Sequence, residues 1–299
     1  MKQFDLVFAA GNGACRSPKK ITLTVCRPDV MNEHTGIMMF CHGWGCNRFQ
    51  HLDKMHYTCD RHNLICFTTE YRMSGYDFDP VSGAGWNVPY DLSFAQTFDC
   101  LNALRRILEL FPAADRGRLF AYGGSQGGHI VLLSAVFAPA TFAFVYVSSP
   151  LTHVPDAGEP CAGLAGRDFS PRELACRNVL EHTRNILCPV YLESGTCDEA
   201  VPHDRHSLLL EKRLREQGHA VTAKYYEGGN HQLEPVIRKI DAYKAMIPDV
   251  LDTAENPRTD DFAAGSVVDV SCADHLLRID WREEIPSEKL YTFIPAGNR

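Results

Sequence analysis

The sequence predicts an α/β fold in which a mostly parallel central sheet carries helices on both faces. Short apolar runs, typical of buried strands, alternate along the chain with segments whose apolar residues recur at helical spacing. Residues 37–41 and 119–122 are apolar throughout, as expected of parallel strands that are covered on both sides. Because 299 residues can bury one large core, we treat residues 1–299 as a single domain.

Strands are predicted along most of the chain. Residues 4–8 and 21–26 come first, and the alternation of apolar and polar side chains in the second run indicates an edge hairpin. Asn12-Gly13 supplies the turn between them. The later strands of the sheet are predicted at residues 37–41, 63–67, 119–122, 141–148, 188–192 and 221–226.

Helices are predicted between these strands. Asp91 is expected to cap an amphipathic helix that ends near Pro112, since proline disfavours helical geometry in the residue before it. The other helices are predicted at residues 51–62, 129–136, 171–182, 203–217 and 233–247.

Three segments depart from this alternation. Residues 68–89 are irregular and rich in glycine and aromatic residues, which indicates a pocket wall or, alternatively, a loop pinned only by its aromatics. Residues 150–187 form a small insertion after the sixth strand, in the position of a cap or lid. Residues 250–299 are an extension with a predicted hairpin of 266–270 and 276–281, expected to pack as extra edge strands.

Composition and charge exclude some partners. A formal net charge of −7 and a pI near 6.0 leave no basic surface for nucleic acid. The N-terminus lacks the apolar run of a signal peptide, and the longest apolar stretch is broken by Pro139, so we expect a cytoplasmic protein without a membrane span. The 12 cysteines are then expected to be reduced thiols. A homo-oligomer is compatible with these observations.

One motif joins a predicted strand to a predicted helix through a serine. Residues 123–127 read Gly-x-Ser-x-Gly, directly after the apolar run 119–122 and before the helix-like run 129–135. So sharp a turn leaves no room for Cβ atoms beside the serine, and glycine is the residue that suits both positions. Ser125 is therefore our candidate nucleophile, with a plain glycine turn as the alternative.

A serine hydroxyl needs an imidazole base, and the base needs an acid that orients it. In this architecture the acid and then the base follow later strands, and residues 193–202 and 227–231 are loops in those places. The candidate acids and bases are the acidic and imidazole side chains of these two loops and of the helix predicted at residues 203–217. They are Glu193, Asp198, Glu199, His203, His206 and His231.

Over residues 20–247 the chain resembles the α/β hydrolases of the serine esterase and peptidase superfamily. Besides the serine motif, the residues that carry the resemblance are Gly-Thr-Cys-Asp-Glu-Ala-Val-Pro at 195–202 and Gly-Asn-His at 229–231. The resemblance implies an α/β-hydrolase fold and places the acid on Asp198 and the base on His231. Glu193 is the less favoured acid because it ends a strand instead of lying in the loop.

The same resemblance implies an oxyanion hole made of the backbone N–H groups of Trp44 and Gln126. The substrate-binding residues are predicted to be His42, Tyr71, Trp86 and Tyr90. His42 begins a glycine-rich loop after a central strand and is expected to shape that loop instead of acting as a base.

The predicted reaction is hydrolysis of a carboxylic ester with a small acyl group, through an acyl-enzyme. The stretch Gly-Gly-Ser-Gln-Gly-Gly resembles carbohydrate deacetylases as well as prolyl-oligopeptidase-like peptidases. Gln232 weakens the likeness to the deacetylases, and 299 residues leave no room for the N-terminal propeller of the peptidases. A peptidase of that kind, an acyltransferase with the same triad and a fold used only for binding are the alternatives.

No metal and no cofactor are predicted. Cysteines and histidines are frequent between residues 41 and 66, but their spacing matches no standard zinc motif. The expected ligand is a small-molecule ester or a short peptide.

Overall fold

The computed structural model of the chain describes residues 1–9, 20–74, 90–160, 163, 165–285 and 287–297. The predicted turn at Asn12-Gly13, the candidate Trp86 and most of the predicted pocket-wall loop lie outside these residues.

A central sheet of eight strands organises the fold. Its strands are β1 Lys2–Ala9, β2 Lys20–Arg27, β3 Gly36–Cys41, β4 Leu64–Glu70, β5 Leu119–Gly124, β6 Phe144–Ser148, β7 Val190–Gly195 and β8 Val221–Tyr226. Their spatial order is β1-β2-β4-β3-β5-β6-β7-β8. β1 pairs antiparallel with β2, and β2 with β4, whereas all other neighbouring pairs are parallel. The prediction of a mostly parallel sheet with an antiparallel edge hairpin is confirmed.

Helices cover both faces of this sheet, also as predicted. They are α1 Leu52–His62, α2 Phe94–Leu110, α3 Gln126–Phe137, α4 Pro171–Ala175, α5 Val179–His182, α6 Ser207–Glu216, α7 Lys239–Met246, α8 Pro248–Thr253 and α9 Asp261–Ala264. In β3, Ile37 and Met39 belong to the core formed with α2, α3 and α6, whereas Met38 and Phe40 belong to the core formed with α1, α7 and α8. Successive side chains of a strand point to opposite faces, so an entirely apolar strand serves two cores.

The start of α2 differs from the prediction. Ser93, and not Asp91, occupies the N-cap position, and its backbone N–H donates to the Gln96 side chain at 2.8 Å. The Asp91 carboxylate accepts hydrogen bonds from the backbone N–H groups of Ala95 at 2.6 Å and Gln96 at 3.3 Å. Although it precedes the N-cap position, Asp91 thus satisfies donors of the first helical turn, which otherwise have no partner within the helix.

Two other helix predictions are corrected. Residues 171–182 form two short helices, α4 and α5, because the Asn178 side chain accepts a hydrogen bond from the backbone N–H of Leu180 and begins a new helix. The helix predicted from residue 233 begins only at Lys239, since Leu233 has a positive φ of 68° that no α-helix accommodates.

The C-terminal strands form a sheet of their own, so the prediction that they extend the edge of the main sheet is wrong. β9 Val267–Cys272, β10 His275–Asp280 and β11 Tyr291–Pro295 pair antiparallel in the order β11-β10-β9. Alternate residues of β9 are buried, which gives this sheet one apolar face. That face packs on α2 and α3, where Trp281 donates its indole N–H to the carbonyl of Phe137 at 2.9 Å and the rings of Phe98 and Tyr291 stack at 4.5 Å.

Two findings bear on the environment of the chain. Among the helices that the structure describes, none combines the length and the apolar character needed to cross a membrane. Every cysteine within the described residues is a free thiol, and most of these thiols are buried.

We expect Trp281→Ala to destabilise the protein by about 3–5 kcal/mol, because it leaves a large cavity and an unpaired carbonyl between the C-terminal sheet and α3. Urea unfolding followed by circular dichroism measures the change. Val267→Ala, on the exposed side of the same sheet, is the matched control and should change stability by less than about 0.5 kcal/mol. Equal effects of the two substitutions would contradict the packing of the C-terminal sheet on α2 and α3.

Candidate active site

Ser125 lies at the turn between β5 and α3, in a backbone conformation that few residues adopt. Its φ of 56° and ψ of −124° place it outside the regions favoured by residues with a side chain. Its N–H donates to the carbonyl of Ser148 at 2.9 Å, and its own carbonyl accepts from the N–H groups of His129 and Leu151, each at 3.2 Å. These three hydrogen bonds hold the strained residue at the carboxyl edge of the sheet.

The outer glycines of the serine motif are required by close backbone contacts. A Cβ at Gly127 would overlap the carbonyl oxygen of Cys41, and one at Gly123 would overlap the carbonyl oxygen of Gly127. Gly124, between Gly123 and Ser125, is not required in the same way. A Cβ there would lie 3.6 Å from the Ser148 carbonyl oxygen, which is an ordinary contact. The pattern Gly-x-Ser-x-Gly thus follows from the packing of α3 against the end of β3.

Asp198 and His231 are hydrogen-bonded to each other in the loops after β7 and β8. His231 Nδ1 lies 2.7 Å from Asp198 Oδ2, and the other carboxylate oxygen accepts from the N–H groups of Ala200 and Val201 at 2.9 and 2.8 Å. An ionised carboxylate only accepts, so the hydrogen of this pair belongs to Nδ1 and leaves Nε2 as the basic nitrogen. The Asp198 side chain is fully buried, whereas that of His231 is 21% exposed.

The two loops that carry this pair meet backbone to backbone. A Cβ at Gly195 would overlap the carbonyl oxygens of Gly229 and Asn230. Cys197 N–H donates to the carbonyl of Gly229 at 2.8 Å, which joins the loop of Asp198 to the loop of His231. The glycines of both loops therefore bring the acid and the base together.

The turn that carries Ser125, between β5 and α3, is linked to the loop of His231 through the end of β6. Ser148, which accepts from Ser125 N–H, is followed by Ser149, whose hydroxyl donates to the backbone carbonyl of His231 at 3.4 Å. The structure thus places the predicted nucleophile, acid and base at the carboxyl ends of β5, β7 and β8, along one edge of the sheet. Glu193 and His206, two rivals for the acid and the base, make other contacts.

Glu193 is fully buried within β7, where it faces the hydroxyl groups of Tyr146 and Ser148. Burial raises the pKa of its carboxyl group, and these hydroxyls together with Lys239 and Lys54 oppose the rise. Since His231 pairs with Asp198, the contacts favour Asp198 as the acid.

The predicted oxyanion loop runs beside the serine. A Cβ at Gly43 would lie 3.6 Å from the Ser125 Cβ, and Trp44 is the next residue in this loop. Gly43 N–H donates to the Gln50 side chain at 2.7 Å, which fixes the loop after β3. Gln126 is the first residue of α3, where backbone N–H groups lack partners within the helix.

A chain of buried side chains supports Gln126 from behind. The Tyr90 hydroxyl donates to Gln126 Oε1 at 2.7 Å, and Gln126 Nε2 donates to Gln96 Oε1 at 2.7 Å. Gln96 in turn donates to the carbonyl of Arg72 at 3.0 Å. Burial raises the pKa of the Tyr90 hydroxyl, which therefore stays protonated and donates. No sequence motif marks Gln96, because it lies within a helix remote from every motif.

Three of the predicted substrate-binding residues are corrected to supporting residues. The His42 ring stacks on Tyr71 with their centroids 4.1 Å apart, and the Tyr71 hydroxyl donates to the His42 carbonyl at 2.9 Å. Both are fully buried and hold the oxyanion loop from inside the protein. Tyr90 is 4% exposed and is bonded to Gln126, while Trp86 lies outside the described residues.

An apolar cluster that sequence reasoning missed lies next to Trp44. Met73, Tyr90 and Leu92 form its buried part, and Trp44 packs on it with Val154 and Phe169 of the insertion. The indole of Trp44 meets Tyr90 edge-on, with ring centroids 6.2 Å apart. The cluster draws on four separate stretches of chain, so no sequence pattern could identify it.

The insertion at residues 150–187 is joined to the segment before α2 by a buried ion pair and by hydrogen bonds to the backbone. Arg177 donates to the carboxylate of Asp91 at 3.0 Å and to its backbone carbonyl at 2.8 Å. Tyr90 N–H donates to the carbonyl of Ala165 at 3.0 Å. A buried pair whose hydrogen bonds are satisfied fixes geometry, and losing one partner would leave a buried charge.

We expect Gly127→Ala to destabilise the protein by about 3 kcal/mol or more, because the new Cβ would push α3 away from the end of β3. Gly124→Ala places a Cβ in ordinary contact distance and is the matched control. Urea unfolding gives both values. An unchanged midpoint for Gly127→Ala would show that the close contact is not required.

We expect Asp198→Asn to lower kcat for hydrolysis of p-nitrophenyl acetate by about 10⁴-fold, because the amide no longer orients and stabilises the His231 imidazolium. Glu193→Gln keeps the shape of the other candidate acid and should leave kcat near that of the unsubstituted protein. The reverse result would move the role of the acid to Glu193.

The fold is similar to that of Pyrococcus horikoshii acylaminoacyl peptidase, with a TM-score of 0.66 and 16% identity over 87% of this chain and 43% of that chain. A Mycobacterium tuberculosis puromycin-hydrolyzing peptidase has a TM-score of 0.60 and 18% identity over 77% of this chain and 36% of its own. Porphyromonas gingivalis dipeptidyl peptidase 4 has a TM-score of 0.62 and 19% identity over 81% and 34%. This chain spans less than half of the length of each of these proteins, and at such identities the likeness concerns the fold.

No curated protein sequence matches the chain. Residues 90–248, more than half of the chain, match the model of the prolyl oligopeptidase family. This region contains β5 to β8 together with Ser125, Asp198 and His231. The predicted α/β-hydrolase fold is thereby confirmed, and the chain belongs to the prolyl oligopeptidase family within that superfamily.

Proposed function

We propose that this protein is a serine peptidase of the prolyl oligopeptidase type that cleaves an amide bond in a short peptide. The observation that carries the proposal is the 2.7 Å hydrogen bond between His231 and Asp198, in loops that adjoin the strained Ser125. Family membership favours amide bonds over the esters that the sequence alone favours, so the alternative from the sequence becomes the leading hypothesis.

In this mechanism, His231 Nε2 accepts the hydroxyl proton of Ser125 while the serine oxygen attacks the scissile carbonyl carbon. The backbone N–H groups of Trp44 and Gln126 donate to the oxygen that becomes negative. His231 then gives its proton to the leaving amine, and an acyl-enzyme remains on Ser125. Water repeats the sequence, releases the acid and restores the free serine.

The reaction depends on how rigidly these donors are held. The N–H of Gln126 belongs to a residue whose side chain is bonded on both sides, by Tyr90 and Gln96. Trp44 lies in a loop supported by the stacked His42 and Tyr71. Donors that need no rearrangement during the reaction stabilise the developing charge most, and each contributes about 10²- to 10³-fold in rate.

Residues 150–187 act as a cap that completes the substrate pocket. Val154 and Phe169 of the cap pack on the apolar cluster beside Trp44, and Arg177 anchors the cap to Asp91, in the segment before α2. A substrate side chain that enters beside Trp44 meets an apolar and aromatic surface. We therefore expect preference for a hydrophobic or aromatic residue at the cleaved bond.

The test compares amides with esters under one set of conditions. N-acetyl-aminoacyl and free aminoacyl p-nitroanilides are assayed beside p-nitrophenyl esters from acetyl to octanoyl, and each rate is divided by that of the uncatalysed reaction. A peptidase should accelerate at least one anilide by several orders of magnitude, with Phe or Leu preferred at the cleaved bond. Acceleration confined to esters would restore the ester-hydrolase hypothesis, and transfer to an added alcohol in excess of hydrolysis would support the acyltransferase.

Ser125→Ala should reduce every accelerated rate to background and abolish labelling by a fluorophosphonate probe. Ser134→Ala is the matched control, because this buried serine lies on the same helix and its hydroxyl, among the residues that the structure describes, bonds only to the Ile130 carbonyl. Unchanged turnover in Ser125→Ala would disprove the proposed nucleophile, and a wild-type protein that the probe does not label would favour a binding protein.

A further inference from the structure

The loop that carries Trp44 is held at both of its ends. It comprises residues 42–50, directly after β3. At its start, His42 stacks on Tyr71 inside the protein. Near its other end, Arg48 contacts three strands of the central sheet, and these contacts have no part in the proposed proton transfers. They are a second means of fixing the main chain around Trp44.

Every nitrogen of the Arg48 guanidinium group has a partner. The group lies over the ring of Phe49, 4.3 Å from the ring centre. Its planar fork presents donors in fixed directions, so one side chain can join several strands. Nε donates to Thr24 Oγ1 of β2 at 3.1 Å, Nη1 to Glu70 Oε2 of β4 at 3.3 Å, and Nη2 to Asp5 Oδ2 of β1 at 3.3 Å. The loop is thereby joined to the antiparallel side of the sheet.

Glu70 is the partner that also binds the backbone of the loop. Its Oε2 accepts from the backbone N–H of Arg48 at 3.0 Å, in addition to the guanidinium. The Glu70 side chain is 8% exposed, whereas that of Asp5 is 47% exposed. An exposed ion pair contributes little, but losing a buried acceptor leaves a backbone donor without a partner. Glu70 therefore fixes the main chain four residues beyond Trp44.

We propose that Glu70 is a positioning residue for the oxyanion hole, which holds the loop of Trp44 beside Ser125. The inference rests on the proposed function, in which the backbone N–H of Trp44 donates to the oxyanion. The same loop borders the nucleophile, since a Cβ at Gly43 would lie 3.6 Å from the Ser125 Cβ. A shift of about 1 Å in a reacting or stabilising group can cost about 10²-fold in rate, so an anchor at this distance matters.

The first test removes the acceptor. We expect Glu70→Ala to lower kcat for p-nitrophenyl acetate by about 10- to 100-fold, because the loop and its oxyanion donor lose their fixed position. KM should change by less than about threefold, since the loss falls on the transition state. Glu70→Leu fills the space and likewise lacks an acceptor, so it should give the same loss and replaces the alanine variant if that variant does not fold.

Glu70→Gln is the conservative variant. Both hydrogen bonds from Arg48 go to the single oxygen Oε2, and the oxygen of a glutamine amide can accept both. This variant should keep kcat within about threefold of the unsubstituted protein. A glutamine as damaging as alanine would overturn the proposal, because the contact would then not be the cause.

Asp260→Ala is the matched control for a general loss of stability. Asp260, in the C-terminal extension, is a buried carboxylate that also pairs with an arginine, Arg116, at 2.8 Å. Like Glu70 it accepts from the backbone, here from the N–H groups of Phe262 and Ala263. Its removal should lower the Tm and leave kcat unchanged. An equal loss of kcat in this variant would overturn the positioning role of Glu70.

Hydrogen exchange measures the position of the loop without relying on catalysis. Peptides that cover residues 42–50 should exchange at least about tenfold faster in Glu70→Ala than in the unsubstituted protein or in Asp260→Ala. Unchanged exchange would overturn the proposal. Faster exchange with unchanged kcat would also overturn it, and would remove Trp44 from the oxyanion hole while Ser125 and His231 keep their roles. An unsubstituted protein that hydrolyses neither esters nor amides would refute the proposed function and this inference with it, a result distinct from these selective losses.

Discussion

The arrangement of the site depends on backbone segments that approach more closely than side chains permit. α3 packs against the end of β3 through Gly127, and the loop after β7 meets the loop after β8 through Gly195. The first contact brings Ser125 beside the loop of Trp44, and the second brings Asp198 to His231. Since a Cβ at either glycine would collide with carbonyl oxygens, these contacts determine where the reactive groups can stand. The strained φ of Ser125 is a consequence of the same packing.

Buried polar side chains hold the rest of the site to this frame. Tyr90 and Gln96 fix the side chain of Gln126, and Arg177 fixes the cap against Asp91. Each of these groups is removed from water, so each must find a partner inside the protein or destabilise the fold. The partners come from the segment before α2, from α2, from α3 and from the cap, so Gln126 and the cap are positioned by one connected set of hydrogen bonds. This connection explains why several predicted substrate contacts are supporting residues instead.

The reaction and its specificity have separate physical origins in this protein. A nucleophile, a base and an acid in this order are compatible with esters and with amides alike, and family membership is what favours amides. In the proposed function, selection among substrates falls to the apolar cluster beside Trp44, to which the cap contributes Val154 and Phe169. The proposed pocket therefore depends on how the cap is seated.

The positions of the strands along the chain, the two faces of helices and the candidates Ser125, Asp198 and His231 were all accessible from the sequence, because local periodicity and glycine-bearing loops mark them. The cap of α2, the break at Asn178 and the separate C-terminal sheet were not, since competing hydrogen bonds and packing on α3 decide them. The burial of His42 and Tyr71 likewise depends on neighbours distant in the chain. The sequence by itself determined which residues could react. Only the tertiary structure decided which residues support them, because burial and hydrogen-bond partners arise when distant segments meet.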